Sequence, residues 1–184
     1  GIVITASHNP REYNGYKVYW EDGAQITPPH DKNIMAEVSK VTDLSDVKGL
    51  GESERSGLYH KIGEEIDEAY ISAVKEQSVH PEVIEEMAKD FTIVYTPLNG
   101  AGNVPVRRVL KDLGFTKVYV VEEQEAPDGN FPTLPFPNPE VPEAFSLALK
   151  KAAEVDADIV LATDPDADRL GVYSKDGKGG YISF

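Results

Sequence analysis

In the second half of the chain, short apolar runs typical of strands alternate with segments whose apolar residues have helical spacing. Three short runs rich in β-branched residues predict strands, at residues 91–95, 117–121 and 158–162. Two intervening segments have helical spacing instead, at residues 104–113 and 142–153, and Gly114 is positioned to end the first of them. Strands that alternate with helices pair in parallel through right-handed crossovers, so this half predicts an α/β unit with helices flanking a parallel or mixed sheet.

The first half of the chain predicts two strands followed by helices. The apolar run 2–5 predicts a buried strand, and the aromatic-rich run 16–20 predicts a second one after the turn residues Asn14 and Gly15. Helical spacing follows at residues 30–41, 66–77 and 81–89. A polar connector is expected over residues 42–63. Because the chain starts inside an apolar run and has no initiator Met, we expect it to be a piece of a longer protein.

One segment of the second half cannot be regular. Six prolines fall within residues 127–142. Proline fixes its own backbone angle and has no N–H to donate, so neither a helix nor a central strand can run through this segment. We therefore expect an ordered loop or a tether here.

Composition narrows the class of protein. Hydrophobic residues make up 40% of the chain and charged residues 27%, the balance of an ordinary soluble domain. No apolar run approaches the ~18 residues of a membrane span. The net charge of −14 argues against a nucleic-acid or anionic-membrane partner, because either would need a basic surface. The absence of cysteine excludes disulfides, thiolate metal sites and cysteine nucleophiles, and it is compatible with the cytoplasmic location that we expect.

The first candidate for chemistry is the loop after the first predicted strand, Thr5-Ala6-Ser7-His8-Asn9-Pro10. Adjacent serine and histidine side chains are not expected to pair as nucleophile and base. No Gly-x-Ser-x-Gly elbow surrounds Ser7, so a hydrolase is disfavoured. Taken alone, a serine that caps a turn is the simpler interpretation.

The second candidate is an acidic loop after the last predicted strand, Asp164-Pro165-Asp166-Ala167-Asp168-Arg169. Ligands commonly bind α/β sheets at the carboxyl ends of parallel strands, and a set of oxygen ligands suits Mg²⁺ or Ca²⁺. An EF-hand is excluded, because it needs Gly and Glu where Arg169 and Lys175 stand. A haloacid-dehalogenase-type phosphatase also has Asp-x-Asp after a strand, but with Thr or Val where Asp168 stands. An acidic turn without a metal is the remaining alternative from these residues alone.

Together, the two loops resemble the catalytic segments of the α-D-phosphohexomutases, the phosphoglucomutase and phosphomannomutase family. The serine string matches through residues 14–19, and the acidic string has the Asp-x-Asp-x-Asp-Arg pattern of the family's metal loop. The resemblance implies a phosphoryl group on Ser7 and a role for Lys17 as general acid or base beside it. The metal ligands that it implies for Mg²⁺ are Ser7, through its phosphate, and Asp164, Asp166 and Asp168. The catalytic residues that it implies are Ser7, His8, Lys17 and Arg169.

The resemblance extends over nearly the whole chain and implies a domain organisation. Residues 1–60 would be the C-terminal part of domain I with the phosphoserine loop, and residues 61–184 would be domain II with the metal loop. Segments 95–102 and 128–140 also match family strings, and we expect a structural role for both. Segment 19–26 resembles the branch that contains the phosphopentomutase-like and the longer glucose-phosphate mutases. We expect the family's sugar-selecting loop to lie in its later domains, and the Ser-Gly-Thr string of those domains does not occur in this sequence.

The implied activity moves a phosphoryl group between the 1- and 6-positions of a hexose phosphate, glucose or mannose, through a bisphosphate. A glucose 1,6-bisphosphate-type activator is implied with it. The expected partners are the sugar phosphate and the remaining domains of the same chain, and the isolated fragment is expected to be inactive. Three alternatives stay open: a phosphopentomutase of the same family, a Mg²⁺-dependent phosphatase with Asp164 as nucleophile, and a metal- or phosphate-binding module without activity.

Overall fold

A computed structural model describes residues 1–47, 49, 51 and 56–184 of the chain. The chain forms two compact units: residues 1–4 and 16–68 make the first, and residues 5–15 and 69–184 make the second. The connector expected over residues 42–63 falls partly outside the described residues, at 48, 50 and 52–55. The domain boundary expected at residues 60/61 stays a prediction.

The second unit is built on a five-stranded mixed sheet. Its strands are β3 (Thr92–Thr96), β4 (Lys117–Val120), β5 (Ile159–Thr163), β6 (Leu170–Lys175) and β7 (Tyr181–Ser183), in the order β4-β3-β5-β6-β7. β3 pairs in parallel with β4 and β5, as predicted for strands joined by helices. β6 and β7 pair antiparallel and were not predicted. Their apolar pattern is weak because a glycine interrupts β6 and β7 is only three residues long.

The helices of the chain lie where the apolar periodicity predicts them. They are α1 (His30–Val38), α2 (Glu64–Lys75), α3 (Pro81–Met87), α4 (Asn103–Asp112) and α5 (Ser146–Val155). α2 spans the boundary between the two units. α4 ends just before Gly114, which has a left-handed backbone, as the sequence indicates. The first turn of the last predicted helix is a separate 3-10 segment, Pro142–Phe145.

The core of the second unit lies where α5 packs against β3 and β5. Its central members are fully buried, and they include Val94, Leu98, Phe145, Ala148 and Val160. Burying a Val, Leu or Phe side chain stabilises the fold by about 1.5–3 kcal/mol.

The proline-rich segment is an ordered loop. It contains no helix or strand between residues 127 and 141, as expected. Leu134 joins the core at 8% exposure, and Pro137 is fully buried. This loop therefore packs on the second unit and is not a tether.

The first unit contains a two-stranded antiparallel sheet. β1 (Ile2–Ile4) pairs with β2 (Tyr16–Val18), and Tyr19 forms a further bridge to Gln25. The prediction that β1 is buried is wrong: Ile2 and Ile4 are 60% and 58% exposed. In the part of the chain that the structure describes, this sheet has only these two strands, so most of the apolar surface of β1 is uncovered.

No helix among the described residues is long and apolar enough to span a bilayer. A cytoplasmic location stays a prediction.

Candidate functional site

The acidic loop begins at the carboxyl end of the central strand β5. Asp164 follows Thr163 directly, and the loop after β3 lies alongside. The Ala101 N–H donates to the carbonyl of Pro165 at 2.8 Å, which joins the two loops. The site thus forms at the edge of the parallel strands where α/β sheets bind ligands.

Glycines allow these two loops to approach closely. A Cβ on Gly100 would lie 2.4 Å from the Cα of Pro165, and a Cβ on Gly102 would lie 2.7 Å from the hydroxyls of Tyr95 and Thr163. Those two hydroxyls hydrogen-bond each other at 2.8 Å beneath the loop. The structural role expected for segment 95–102 is consistent with this packing.

The three aspartates of the loop converge as the sequence predicts. Asp164, Asp166 and Asp168 each offer one carboxylate oxygen, and these oxygens all lie within 4.8 Å of one another. Asp164 is fully buried, Asp166 is half-buried and Asp168 is exposed. Such a cluster of oxygens, open to solvent on one side, can hold a hard divalent cation.

Asp164 is the most constrained of the three. Its Oδ1 accepts the backbone N–H of Arg169 at 3.0 Å, and its Oδ2 accepts the hydroxyl of Ser7 at 3.0 Å. Burial, together with the neighbouring Asp166, raises the pKa of its carboxyl to about 6, although the bonds from Arg169 and Ser7 act in the opposite direction. When Asp164 is ionised, its two hydrogen bonds therefore only partly offset the cost of burying its negative charge.

The serine loop folds over these carboxylates. The Ser7 N–H donates to the hydroxyl of Thr5 at 2.8 Å, and this hydroxyl donates to Asp166 Oδ2 at 3.2 Å. Ser7 itself has a left-handed backbone, with φ of 52°. Such a conformation costs a non-glycine residue on the order of 1 kcal/mol or more, so the surrounding contacts must hold it. The structure thus brings Ser7 and the acidic loop together, although 157 residues separate Ser7 from Asp164.

His8 contacts the same serine. Its Nδ1 lies 3.1 Å from Ser7 Oγ, so these adjacent side chains are within hydrogen-bond distance, a contact that was not predicted. The sharp turn that the left-handed backbone makes at Ser7 permits this contact. Apolar periodicity contains no signal for it.

The two remaining predicted site residues differ in their surroundings. Arg169 belongs to the acidic loop, and its Nη1 pairs with Glu140 Oε1 at 2.5 Å. Lys17 lies on β2 in the first unit and is half-buried. Its expected position beside Ser7 stays a prediction.

Two family models match the chain. The model described as "Phosphoglucomutase/phosphomannomutase, alpha/beta/alpha domain II" matches residues 68–178. The model described as "Phosphoglucomutase/phosphomannomutase, alpha/beta/alpha domain I" matches residues 1–45.

Curated relatives match over the full chain. A "Probable phosphomannomutase" of Haemophilus influenzae is 40% identical over 100% of this chain and 36% of that protein. A phosphopentomutase of Homo sapiens is 38% identical over 100% of this chain and 30% of that protein. The chain thus spans about a third of the length of these relatives.

Solved structures have a similar fold. One from Thermus thermophilus has a TM-score of 0.75 and 25% identity, over 98% of this chain and 37% of that one. A phosphoglucomutase/phosphomannomutase family protein from Burkholderia thailandensis has a TM-score of 0.63 and 26% identity, over 95% and 33%.

Proposed function

Since the chain belongs to the phosphoglucomutase/phosphomannomutase family, we propose that it is the part of a phosphohexomutase that carries the phosphoryl group. The substrate would be a hexose phosphate, glucose or mannose, whose phosphate moves between the 1- and 6-positions. The observation that carries this proposal is the hydrogen bond from Ser7 Oγ to Asp164 Oδ2 at 3.0 Å, which joins a possible phosphoryl carrier to a cluster of three carboxylates.

The residues present fit Mg²⁺. Asp164, Asp166 and Asp168 offer only carboxylate oxygens, the ligands that Mg²⁺ prefers, and a phosphate on Ser7 would add another oxygen. When bound, Mg²⁺ would offset the charge that spreads over the transferring phosphoryl group. Three carboxylates and a phosphate dianion exceed the charge of one Mg²⁺, so cationic side chains are also needed nearby. The candidates are His8, Lys17 and Arg169.

Two transfers complete the proposed cycle. In the first, the free hydroxyl oxygen of the sugar monophosphate bonds to the phosphorus on Ser7 as the bond from phosphorus to Oγ breaks. The hydroxyl proton passes to a general base, for which Lys17 or His8 is suited, Ser7 Oγ takes up a proton as it leaves, and a sugar bisphosphate results. In the second, Ser7 Oγ loses its proton and bonds to the other phosphate of the bisphosphate, and the released sugar oxygen takes up a proton. A bisphosphate activator would load Ser7 by this second step alone.

A pentose phosphate is the second candidate substrate. The 38% identity to a human phosphopentomutase supports it. The phosphoserine chemistry is the same for both sugars. The rates with ribose 1-phosphate and glucose 1-phosphate in the complete protein would decide between them.

We also propose that residues 1–60 belong to domain I and residues 61–184 to domain II, which the ranges matched by the two family models support. The remaining domains of the relatives, absent from this sequence, would hold the sugar. Positioning of a substrate can supply about 7–11 kcal/mol of a reaction barrier, so a chain without these domains loses most of its rate.

The isolated chain should therefore not interconvert glucose 1-phosphate and glucose 6-phosphate. A coupled assay with bisphosphate activator, run beside the complete protein as positive control, measures this. Turnover by the chain at a rate comparable with the complete protein would mean that residues 1–184 hold the substrate by themselves.

Mg²⁺ should stabilise the chain in a pH-dependent way. The pKa of Asp164 is raised from 3.8 to about 6, so the folded chain binds this proton more tightly than the unfolded chain does. The stability that results is fully present below pH 3.8 and is lost as the pH rises through 6. Bound Mg²⁺ requires the ionised carboxylate, so its stabilising effect should appear in the same range. Saturation at 100 times the Kd would contribute about 2.7 kcal/mol, or roughly 5–10 °C in Tm for a chain of this size.

Thermal unfolding at pH 7.5 and pH 5, with NaCl of equal ionic strength as the control, measures this difference. We expect the rise in Tm at pH 7.5 and little change at pH 5. An equal rise at both pH values would mean that Mg²⁺ binds elsewhere on this acidic chain.

A further inference from the structure

The buried side chain of Gln124 is not explained by the chemistry described so far. Gln124 ends a 3-10 turn after β4 and is 1% exposed. A buried amide is costly unless its donors and acceptors are paired, and this one bonds in two directions. Its Oε1 accepts the hydroxyl of Thr96 at 2.7 Å, and its Nε2 donates to the hydroxyl of Thr133 at 3.0 Å.

The first direction leads to the acidic loop. The hydroxyl of Thr96 accepts the N–H of Leu98 at 3.1 Å, and the backbone carbonyl of Gln124 accepts the N–H of Asn99 at 2.8 Å. Leu98 and Asn99 both have left-handed backbones, with φ of 47° and 59°. Residues without glycine's freedom stay in this conformation only when neighbouring contacts hold them there.

The turn held in this way supports the metal loop directly. Gly100 and Ala101 follow it, and they are the residues that touch Pro165, through the close approach at Gly100 and the 2.8 Å bond from Ala101. Pro165 lies between Asp164 and Asp166. A shift of the turn would therefore move the backbone that spaces these two carboxylates.

The second direction leads to the segment that carries Ser7. Thr133 belongs to the proline-rich loop, in which Asn130 Oδ1 accepts from Arg11 Nη1 at 3.3 Å. Arg11 lies four residues after Ser7. This contact is exposed, and it is connected to Gln124 only through the proline-rich loop to which Asn130 and Thr133 both belong.

We propose that Gln124 is a positioning residue for the phosphoryl-transfer site, which sets the spacing of the acidic loop through the turn at 98–101. This inference rests on the proposed function. It assigns no contact between Gln124 and substrate or metal.

Two substitutions test the length of the Gln124 side chain and its hydrogen bonds separately. Gln124→Asn keeps the amide but shortens the side chain by one methylene, so it cannot bridge Thr96 and Thr133. Gln124→Met keeps the length and removes both hydrogen bonds. Val94→Ala is the control for lost stability alone, because Val94 is a fully buried core residue whose side chain has no polar atom.

Mg²⁺ affinity, measured by calorimetry in the complete protein well below the Tm of each variant, is the deciding readout. Residues that orient metal ligands typically alter affinity by about 10–100-fold. We expect losses of that order in both Gln124 variants and a change within about twofold in Val94→Ala. Hydrogen exchange of the Ala101 N–H should become faster in the Gln124 variants than the change in their free energy of unfolding accounts for. If Gln124 has only a structural role, the increase in exchange rate should match the loss in global stability.

The outcomes separate the two proposals. If the parent protein binds no Mg²⁺ at the acidic loop, the proposed function fails, and this inference fails with it. If the parent binds Mg²⁺ and the Gln124 variants bind it equally well, only the inference is overturned. If one variant does not fold, the other carries the same comparison, and loss of folding in both would show a structural role and contradict a positioning one.

Discussion

Ser7→Ala in the complete protein will remove essentially all mutase turnover. The substitution deletes the oxygen that would carry the phosphoryl group, and Ser7 provides the hydroxyl that bonds Asp164. The nearest hydroxyl within the loop belongs to Thr5, which is already engaged with Asp166 and with the Ser7 N–H. Loss of a nucleophile typically costs several orders of magnitude, so we expect a decrease of at least ~10³-fold in kcat.

Steady-state kinetics and intact-mass analysis together check this prediction. The parent should contain a fraction that is heavier by one phosphate, and the variant should lack it. Ser39→Ala is a suitable control, because Ser39 is an exposed serine whose hydroxyl bonds the carbonyl of Met35 at the end of α1. A Ser7→Ala protein with the parental rate would end the assignment of Ser7 as the carrier.

Asp166→Asn will weaken Mg²⁺ binding and slow phosphoryl transfer without unfolding the chain. The change removes one of the three clustered charges and almost no volume. The hydroxyl of Thr5 can still donate to the amide oxygen, so the contact between the serine loop and the acidic loop can persist. Because a charged ligand becomes neutral, we expect the Mg²⁺ concentration for half-maximal activity to rise by about 10–100-fold.

A charge-matched control distinguishes ligand loss from a general electrostatic effect. Asp90→Asn also removes one negative charge, from a side chain that is 90% exposed and paired with Lys117. It should leave the Mg²⁺ requirement unchanged. If Asp166→Asn behaves like Asp90→Asn, the acidic loop is structural and the metal ligands lie elsewhere.

Local patterns in the sequence predicted the strands and helices that position the site. The β-branched runs at β3, β4 and β5 and the helical spacing between them were sufficient for parallel pairing, because short helical connectors leave few alternatives. The same reasoning missed β6 and β7. β6 pairs antiparallel with β5, and β7 pairs antiparallel with β6, but neither of these strands has a strong apolar pattern of its own.

Burial was harder to predict than strand formation. The apolar run at Ile2–Ile4 forms a strand as expected, yet its residues are mostly exposed. Alternation and β-branching report that a segment is suited to a sheet, whereas burial depends on which elements cover it. The described residues of the first unit do not supply that cover.

The candidate site needed more than local patterns. Three aspartates after a strand indicate a metal site or an acidic turn without a metal, whereas Ser7 became a candidate for phosphoryl transfer only through the resemblance of its whole segment. The contacts of Ser7 with Asp164 and His8 depend on a left-handed backbone that no sequence period reports. The role proposed for Gln124 was not predicted for a similar reason, because a single buried glutamine leaves no repeating pattern in the sequence.

The most direct test is to identify the residue that holds the phosphoryl group. The complete protein, incubated with glucose 1,6-bisphosphate and Mg²⁺, should retain one phosphate that survives hydroxylamine and maps to the peptide containing Ser7. A serine ester is stable to this reagent, whereas an acyl phosphate is cleaved by it. Phosphate that is lost to hydroxylamine and maps to Asp164 would contradict the account and favour an aspartate-nucleophile phosphatase.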